Sequence, residues 1–558
     1  MRYFFTTLLL LMFLSGSAQS VNAPLNEDYY HWIDRYEIRQ GTLNKYFHTS
    51  WKPYMRSDIV SFIQEVRVNQ TLSSVDQFNM SYLLNDSWEW ADSTDNASRK
   101  PFLKHFYRVQ SDLYHVNQPD FDLHVNPVLY LGGGVESASD VNTFINTRGV
   151  EIRGMVDQKL GFYSFIGENQ VIFPQYVRQK IADELVVPHE GFWKNFKENG
   201  VDFFTARGYL SFQATDHINL QFGHDRFKVG NGYRSMILSD FAPAYLFLKM
   251  NTKVWKINYT NLFTELTADV RGNANGLTGT GSYPSKYMAM HHLSVNIGDK
   301  LNVGLFESVI FGADTVNGDN FDLQYLNPII FYRAIEQQNG SPDNVLLGMD
   351  FKWLVAKRLS VYGQLVLDEF LFDNIKEGEG WWGNKYGVQI GGEYIDALGI
   401  NNLDLQLEAN IARPYIYSHG TAFGSYSQYR QPLAHPRGAN FTELVAIARY
   451  QPHRRVNLQA KLIYSNYGAD TTGVNWGGNI LLNNSTREMN FNNEIGQGVS
   501  TDLIFGNFTV SYHWKHNFFI DISHTYRKTE SEVADLSNST NYTSAAIRWN
   551  IPQRLNEF

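Results

Sequence analysis

The chain has 558 residues, no cysteine and a formal net charge of -9 at pH 7, and 15% of its residues are aromatic. The lack of cysteine excludes a disulfide framework, a thiolate metal site, a cysteine nucleophile and a lipid-anchored N-terminal cysteine. The negative charge argues against a nucleic-acid partner, which requires a basic face. Many aromatics with 43 glycines and a mean hydropathy of -0.33 favour a membrane β-barrel over a helical membrane protein.

Residues 1–18 have the pattern of a secretory signal peptide. Arg2 supplies the positive charge, residues 8–14 are apolar, and residues 16–18 fit the small residues of a cleavage site. We therefore expect an exported protein. Because no later apolar run reaches the ~20 residues of a spanning helix, a membrane location requires a closed barrel.

Residues 19–117 are predicted to form a small helical region. Residues 56–68 carry apolar side chains on one helical face, and Ser74 with Gln77 fits a capping box that opens a second helix. An amphipathic helix needs a partner face, which favours a periplasmic cap. The alternative is a packed N-terminal extension of the barrel.

Residues 118–558 alternate with a period of two in segments of roughly 9 to 15 residues, the length of barrel strands. Short turns are predicted near Gln158, Asp216, Asn251, Asp299, Lys357, Ile400, His453 and Lys515. Long polar loops are predicted at about 137–142, 174–200, 229–242, 270–283, 314–343, 372–384, 414–437, 468–495 and 531–541. Eight turns and nine loops predict an all-β, antiparallel transmembrane barrel of about 18 strands, with turns facing the periplasm and loops facing outward. We expect added protease to cut loops such as 414–437 and 468–495 in intact cells, and to spare the helical region.

Two segments bear on the predicted number of strands. Leu323–Gln337 looks like a strand, but a nineteenth strand would break the even count, and Asn327 with Pro328 is a poor strand start. We therefore expect it inside the fifth long loop, as a semi-apolar segment folded into the wide lumen. The last strand is predicted at Tyr542–Ile551, with the terminal aromatic Phe558 shortly after it.

The stretch from Phe222 to Met250 predicts a second loop folded into the barrel. We expect Gly230 and Gly232 to supply positive φ values, and residues 235–239 are too apolar for a solvated loop. The charges within it, Arg234 and Asp240, should each find a polar partner on the inner wall. The alternative is an ordinary hairpin end with a few buried residues.

The sequence shows no recognisable catalytic, cofactor or metal motif. His291 and His292 are adjacent in a strand and should point to opposite faces. Acidic residues crowd residues 368–379, which fits a solvated acidic loop or a cation site. We therefore expect no enzyme, no cofactor and no metal.

Aromatic residues in the long loops are candidates for sugar binding, because flat rings beside polar groups suit sugar rings. Barrel anchoring is the alternative for many of them. The candidate ligand-binding residues are Arg234, Asp240, Trp381, Trp382, Tyr415, Tyr417 and Arg430.

The loop between residues 222 and 250 resembles the signature of the Wzi-type capsule-assembly family. The matching positions are Gly230, Gly232, Ser235, Ile237, Leu238, Ser239, Ala242 and Pro243. The segment GNGYRSMILSD and the later run from Asn327 to Asp350 are similar to sequences of the Bacteroidetes branch, which includes the gliding-motility RemB-like proteins. The paired tryptophans that precede the glycine turn in enterobacterial members are replaced by Phe227 and Lys228.

This resemblance implies a non-catalytic outer-membrane barrel with loops plugging its lumen, which binds or anchors surface polysaccharide for capsule assembly or for gliding-related adhesion. The implied partners are outer-membrane lipid, surface polysaccharide and other cell-surface or motility proteins. An outer-membrane transport channel for small polar or saccharide solutes is the main alternative, and a barrel hydrolase is a weaker one.

Overall fold

The computed structural model describes residues 20–69, 72–269, 283–312, 322–329, 331–334, 343–421, 423–471 and 473–558. The predicted signal peptide and most of the predicted loop at 270–283 lie outside these residues. Among the helices of the described part, none is long and apolar enough to cross a membrane.

Eighteen long antiparallel strands form a closed barrel, which confirms the predicted fold class. They are β1 Phe121–Glu136, β2 Thr143–Val156, β3 Leu160–Ile172, β4 Gly200–Thr215, β5 Ile218–Asp225, β6 Tyr245–Val254, β7 Ile257–Thr267, β8 Ser285–Ile297, β9 Leu301–Phe311, β10 Asn344–Ala356, β11 Leu359–Leu367, β12 Tyr386–Tyr394, β13 Leu403–Ala412, β14 Phe441–His453, β15 Val456–Ala469, β16 Val499–Lys515, β17 Phe518–Ser531 and β18 Asn538–Trp549. Each strand pairs with its neighbours in the chain, and β18 pairs with β1 to close the barrel. A short strand at Tyr114–Gln118 forms a hairpin with β1, close to the predicted start of the barrel.

The predicted turns lie in or next to observed turns, with one exception. The turn expected near Asn251 is instead at Trp255 and Lys256, between β6 and β7. Asn251 lies within β6, and its side chain donates to Asn258 across the strand pair at 3.1 Å. A wide barrel has a polar inner face, so an asparagine there does not end a strand.

Three helices form the N-terminal region: α1 Glu27–Gln40, α2 Arg56–Asn69 and α3 Ser74–Asp86. The capping box of α3 consists of Ser73 and Asp76, so the prediction of Ser74 with Gln77 was wrong by one residue at each position. Two helices that the sequence analysis did not predict lie in long loops, α4 Gln175–Glu184 and α5 Phe372–Glu377. Short 3-10 helices lie at Trp88–Trp90, Leu323–Leu326, Ala397–Gly399, Asn484–Thr486 and Ala534–Leu536.

The helical region closes one end of the barrel through buried ion pairs. Nζ of Lys352, on the inner face of β10, lies 3.0 Å from Asp34 and 2.7 Å from Glu37 of α1. Arg35 of α1 pairs with three carboxylates: Asp76 of α3 at 3.3 Å, Asp396 at 2.6 Å, and Asp404 of β13. Because a buried charge is costly without its partner, these pairs hold the helices in the barrel end.

One segment of the helical region reaches further into the lumen. Trp51 and Lys52 form a short antiparallel pair with Lys228 and Val229, which precede the glycine turn. The ring of Trp51 lies 5.7 Å from that of His292 on the inner wall. The N-terminal region and the inward-folded loop are therefore physically joined.

Residues 322–329 and 331–334, which we call the flap, contradict the expectation of a second loop inside the lumen. His292 is on the inner wall, so its neighbour His291 points outward, as predicted. The ring of Tyr332 in the flap lies 4.1 Å from that of His291. The Tyr259 hydroxyl donates to the carbonyl oxygen of Pro328 at 2.6 Å. The flap therefore covers the outer wall of β7 to β9, and its described residues contain no strand.

The predicted orientation can be tested with single cysteines, because the native chain has none. Asp535 is exposed in the loop between β17 and β18, whereas much of the loop at 414–437 is buried. We expect Asp535→Cys to react with a membrane-impermeant maleimide in intact cells. Arg99→Cys, exposed in the helical region, should react only after the outer membrane is permeabilised; labelling of both in intact cells would contradict a periplasmic helical region.

Candidate functional site

The loop from Gly230 to Pro243, which we call the plug, lies inside the barrel. The backbone N–H of Gly230 donates to Ser50 at 2.7 Å, and that of Val229 donates to Leu238 at 2.8 Å. The Ser235 hydroxyl donates to the carbonyl oxygen of Val229 at 2.6 Å and accepts from two backbone N–H groups of the plug at 3.2 Å. These bonds satisfy backbone groups of a turn that is largely buried.

The two glycines of the plug are required for different reasons. Gly230 has a φ of 105°, and a Cβ there would lie 1.9 Å from Nε2 of Gln364. Gly232 does not have the positive φ that we predicted for it. A Cβ on Gly232 would lie 2.4 Å from Oε1 of Gln389 and 2.7 Å from Oε2 of Glu408. Gly232 is therefore needed for close approach to the inner wall.

The apolar part of the plug packs against the loop between β13 and β14. The Tyr417 hydroxyl donates to the carbonyl oxygen of Met236 at 2.6 Å. The N–H of Ser239 donates to Leu433 at 2.7 Å, and its hydroxyl donates to Ala434 at 2.5 Å. Pro243 is buried at the return to β6. Two loops from opposite sides of the barrel thus form one apolar cluster.

Arg234 joins the plug to the wall and to the C-terminus. Its Nε lies 3.2 Å from Glu443 of β14, and its Nη2 donates to the carbonyl oxygen of Glu557 at 2.9 Å. Burial by itself lowers the pKa of Arg234, but Glu443 and Glu557 outweigh burial and hold it above its ordinary value. Arg234 thus has the wall partner that the sequence analysis expected. These partners give it a structural role at the plug and do not leave its charge free for a ligand.

Residues 551–558 after β18, which we call the tail, return into the lumen; the sequence analysis did not predict this. Glu557 lies 2.7 Å from Nζ of Lys461 on the inner face of β15. The Phe558 ring packs 6.3 Å from that of Phe241 in the plug and 6.0 Å from that of Tyr176 in α4. The charged residues after Pro552 could have indicated this return into the lumen, because charged side chains are unfavourable in contact with lipid.

A cavity of about 480 Å³ remains in the lumen between the plug, the tail and strands β3 to β5. Asp240 lines it, and Lys228, Arg226 and His189 supply counter-charges to its carboxylate. Burial raises the pKa of Asp240, but Lys228, Arg226 and His189 outweigh burial, so the net shift is downward. The cavity thus contains an ionised carboxylate among several basic groups.

Trp381 and Trp382 form a half-exposed patch on the outer loops, with ring centroids 6.0 Å apart. The N–H of Trp382 donates to Asn490 at 3.0 Å, so the loop after β15 lies beside them. This loop supplies two residues that the sequence analysis missed. The Arg487 guanidinium lies 4.0 Å over the Trp382 ring, and Phe491 is exposed next to Asn490. We call Trp381, Trp382, Arg487 and Phe491 the aromatic patch.

The other candidate residues do not join this patch as exposed groups. Tyr415 and Tyr417 are fully buried, and the Tyr415 hydroxyl donates to the carbonyl oxygen of Asn475 at 3.0 Å. Both have left-handed φ values, 68° and 69°, which for aromatic residues require firm packing. Arg430 is partly exposed and lies 3.4 Å from Asp269. The acidic segment also has a structural contact, since Asp368 lies 2.9 Å from Nζ of the buried Lys385.

No group of three or more histidine, aspartate or glutamate side chains in the described part of the chain is arranged to hold a metal ion. The described residues form a plugged barrel with a lumenal cavity of about 480 Å³ and a partly exposed aromatic patch on its long loops. Such surfaces bind ligands by stacking and hydrogen bonding.

Among curated proteins, none matches this sequence. Among solved structures, the chain is similar to Wzi from Escherichia coli, whose structure is described as an outer-membrane carbohydrate-binding β-barrel involved in group 1 capsule assembly. The identity is 14%, the TM-score is 0.58, and the alignment covers 97% of this chain and 100% of that one. OprD from Pseudomonas aeruginosa aligns at 10% identity and a TM-score of 0.40 over 76% of this chain and 94% of that one. OccAB2 from Acinetobacter baumannii aligns at 7% identity and 0.43 over 77% and 97%. These last two scores are too low to support an argument.

The family model for capsule assembly protein Wzi matches residues 133–545, about three quarters of the chain. The match includes the plug and runs from β1 to β18. The chain therefore belongs to the capsule assembly protein Wzi family and is an outer-membrane β-barrel.

Proposed function

We propose that this protein is a non-catalytic barrel that binds surface polysaccharide at the cell exterior and anchors it to the outer membrane. The observation that carries the proposal is the lumen filled by the plug and the tail, together with packed loops that leave the aromatic patch partly exposed. Family membership supports it, since the Escherichia coli relative is described as carbohydrate-binding.

The filled lumen favours this function over transport. The plug, the tail and the segment around Trp51 all occupy the interior, and buried ion pairs hold two of them to the wall. A transport channel would need a continuous path around these three segments. An anchor needs only a rigid outer surface, which the packed loops provide.

The aromatic patch suits a polysaccharide because a polymer needs an open surface. The Trp382 ring is oriented by the Arg487 guanidinium at 4.0 Å and Nζ of Lys385 at 5.7 Å, while Trp381 stays partly exposed and Phe491 exposed. Sugar rings stack their C–H faces on such rings and offer hydroxyl groups to guanidinium and amide partners. The lumenal cavity with Asp240 is a second candidate position, suited to a single charged sugar residue.

We expect Trp381→Ala with Trp382→Ala to weaken binding of the glycan that the refolded wild type selects on a glycan array. Two aromatic faces at about 1 kcal/mol each correspond to roughly a 10- to 30-fold loss of affinity. Trp255→Ala is the control, because Trp255 is exposed in the turn at the opposite end of the barrel.

Unchanged affinity in the double variant, with loss in Asp240→Asn, would move the site to the lumenal cavity. A wild type that binds no glycan would overturn the proposed function itself. Either result is read against a heat-modifiability gel that reports whether the barrel is folded.

We further propose that this chain serves either capsule attachment or gliding-related adhesion, as the resemblance to the RemB-like branch implies, together with other cell-surface or motility proteins. A deletion strain scored for capsule and for surface spreading distinguishes the two. Lost capsule with normal spreading supports capsule attachment, and the reverse supports adhesion.

A further inference from the structure

The outer wall beneath the flap carries a row of polar side chains. Asn261 of β7 is in register with His291 of β8, and His291 is in register with Glu307 of β9. Because registered neighbours share a face, all three point outward. Glu307 lies four residues below the outer end of β9 at Phe311, which is about 10 Å along the membrane normal for a tilted strand.

This row interrupts an apolar, outward-facing surface. In the next row Leu305 is 55% exposed, and on the neighbouring strand Leu347, the registered partner of Glu307, is 38% exposed. Polar and ionisable groups that face hydrocarbon are costly unless protein covers them. Glu307 and His291 are nevertheless almost completely buried, and the flap is what buries them.

The contacts of the flap match the polar row. The backbone N–H groups of Tyr332 and Arg333 donate to the two carboxylate oxygens of Glu307 at 2.8 and 2.9 Å. The Tyr332 ring packs against the His291 ring at an interplanar angle of 42°, and the Tyr259 hydroxyl donates to the Pro328 carbonyl oxygen. The flap therefore descends from the outer rim to the level of Glu307 and is fixed there.

The described residues of the flap expose three large apolar side chains, beside the polar side chains of Gln324, Asn327 and Arg333. Leu323 is 72% exposed, Ile329 83% and Phe331 76%. These side chains lie over the part of the barrel wall that contains Leu305 and Leu347. Those two wall residues face lipid in an outer-membrane barrel.

We propose that the flap is embedded in the outer membrane, with Leu323, Ile329 and Phe331 in contact with lipid acyl chains and Glu307 as its anchor on the barrel wall. The lipid face at β7 to β9 is then made by a loop and not by the strands. This surface is separate from the sugar-binding surface, so its test is independent of the proposed function.

Single-cysteine variants of the full chain, refolded into phosphatidylcholine vesicles and labelled with bimane, test the position of the flap. We expect Ile329→Cys and Phe331→Cys to be quenched by lipids brominated on the acyl chains to within about twofold of Leu305→Cys, and to be shielded from aqueous iodide. Asp535→Cys should show the reverse. Iodide quenching of the flap positions at the level of Asp535→Cys, without quenching by brominated lipid, would overturn the proposal.

A second substitution tests the anchor. In the Ile329→Cys background, Glu307→Leu removes the acceptor of both N–H groups, and we expect quenching by iodide to rise severalfold. Glu307→Gln keeps one carbonyl acceptor and should restore most of the shielding. Equal shielding in all three proteins would show that Glu307 does not anchor the flap, while an unchanged Leu305→Cys signal confirms that the barrel is intact.

Discussion

A barrel carrying Gly230→Val and Gly232→Val is expected to conduct ions in planar bilayers, whereas the wild type stays closed. Valine at 230 places a branched side chain at a φ of 105° and drives its Cβ into Gln364. Valine at 232 meets Gln389 and Glu408. Strain of roughly 1 to 3 kcal/mol at each position is enough to move a loop held by a few hydrogen bonds.

Deletion of residues 231–240 should give the largest and steadiest conductance, because it removes the apolar part of the plug. Gly420→Val is the matched control, since a Cβ there meets nothing within 4 Å. If wild type, double variant and deletion share one large conductance, the loop does not block the lumen. If all three are closed, the tail or the segment around Trp51 is the block.

Arg35→Met is expected to release the helical region from the barrel end. It removes the cation that three buried carboxylates share, although Asp76 keeps its 2.5 Å pair with Arg39 and Asp404 keeps its 3.0 Å contact with His31. Loss of one partner from a buried ion pair costs about 3–5 kcal/mol. We expect limited trypsin digestion of the refolded protein to cut the helical region while the strands remain protected. Arg35→Lys should be intermediate, because an ammonium keeps the charge but not the fork geometry of a guanidinium.

The control is Lys45→Met, which removes the exposed 2.6 Å pair with Glu65. Exposed ion pairs contribute little to stability, so digestion at the remaining trypsin sites should not change. Identical digestion of Arg35→Met and Lys45→Met would mean that the ion pairs of Arg35 do not hold the helices.

The same network predicts a pH dependence. Burial raises the pKa of Asp76, but Arg35 and Arg39 outweigh burial and lower it below its ordinary value. A lowered pKa in the folded state stabilises above the unfolded pKa, and this stabilisation is lost as pH falls through the folded value. Acidification below about pH 4 should therefore increase cutting of the helical region by pepsin in the wild type, and less so in Arg35→Met.

The number and order of strands could be predicted from the sequence because a barrel wall imposes a local rule. Alternation with a period of two, interrupted by short turns and long loops, needs no knowledge of distant residues. The error at Asn251 has the same origin, since a polar residue on the polar inner face of a wide barrel looks like a turn. The location of the plug also followed from a local signal, the glycine turn before an apolar run.

The loops show where local signals end. The plug and the flap have similar compositions, apolar with a few charges. The plug nevertheless lies in the lumen and the flap on the lipid face. What separates them is the wall opposite each: Gln364 and Glu408 inside, His291 and Glu307 outside. These contacts join residues distant in the chain.

The barrel, its helical N-terminus and the glycine turn could be predicted from the sequence, because each depends on periodicity or on backbone conformation over a few residues. The folded structure was needed to show that Tyr415 and Tyr417 are buried while Trp381 and Trp382 are half exposed, and that the tail returns to meet Arg234. Whether a side chain is buried or ion-paired depends on which residues lie opposite it in space. The order of residues along the chain does not give this information for the loops of a closed barrel.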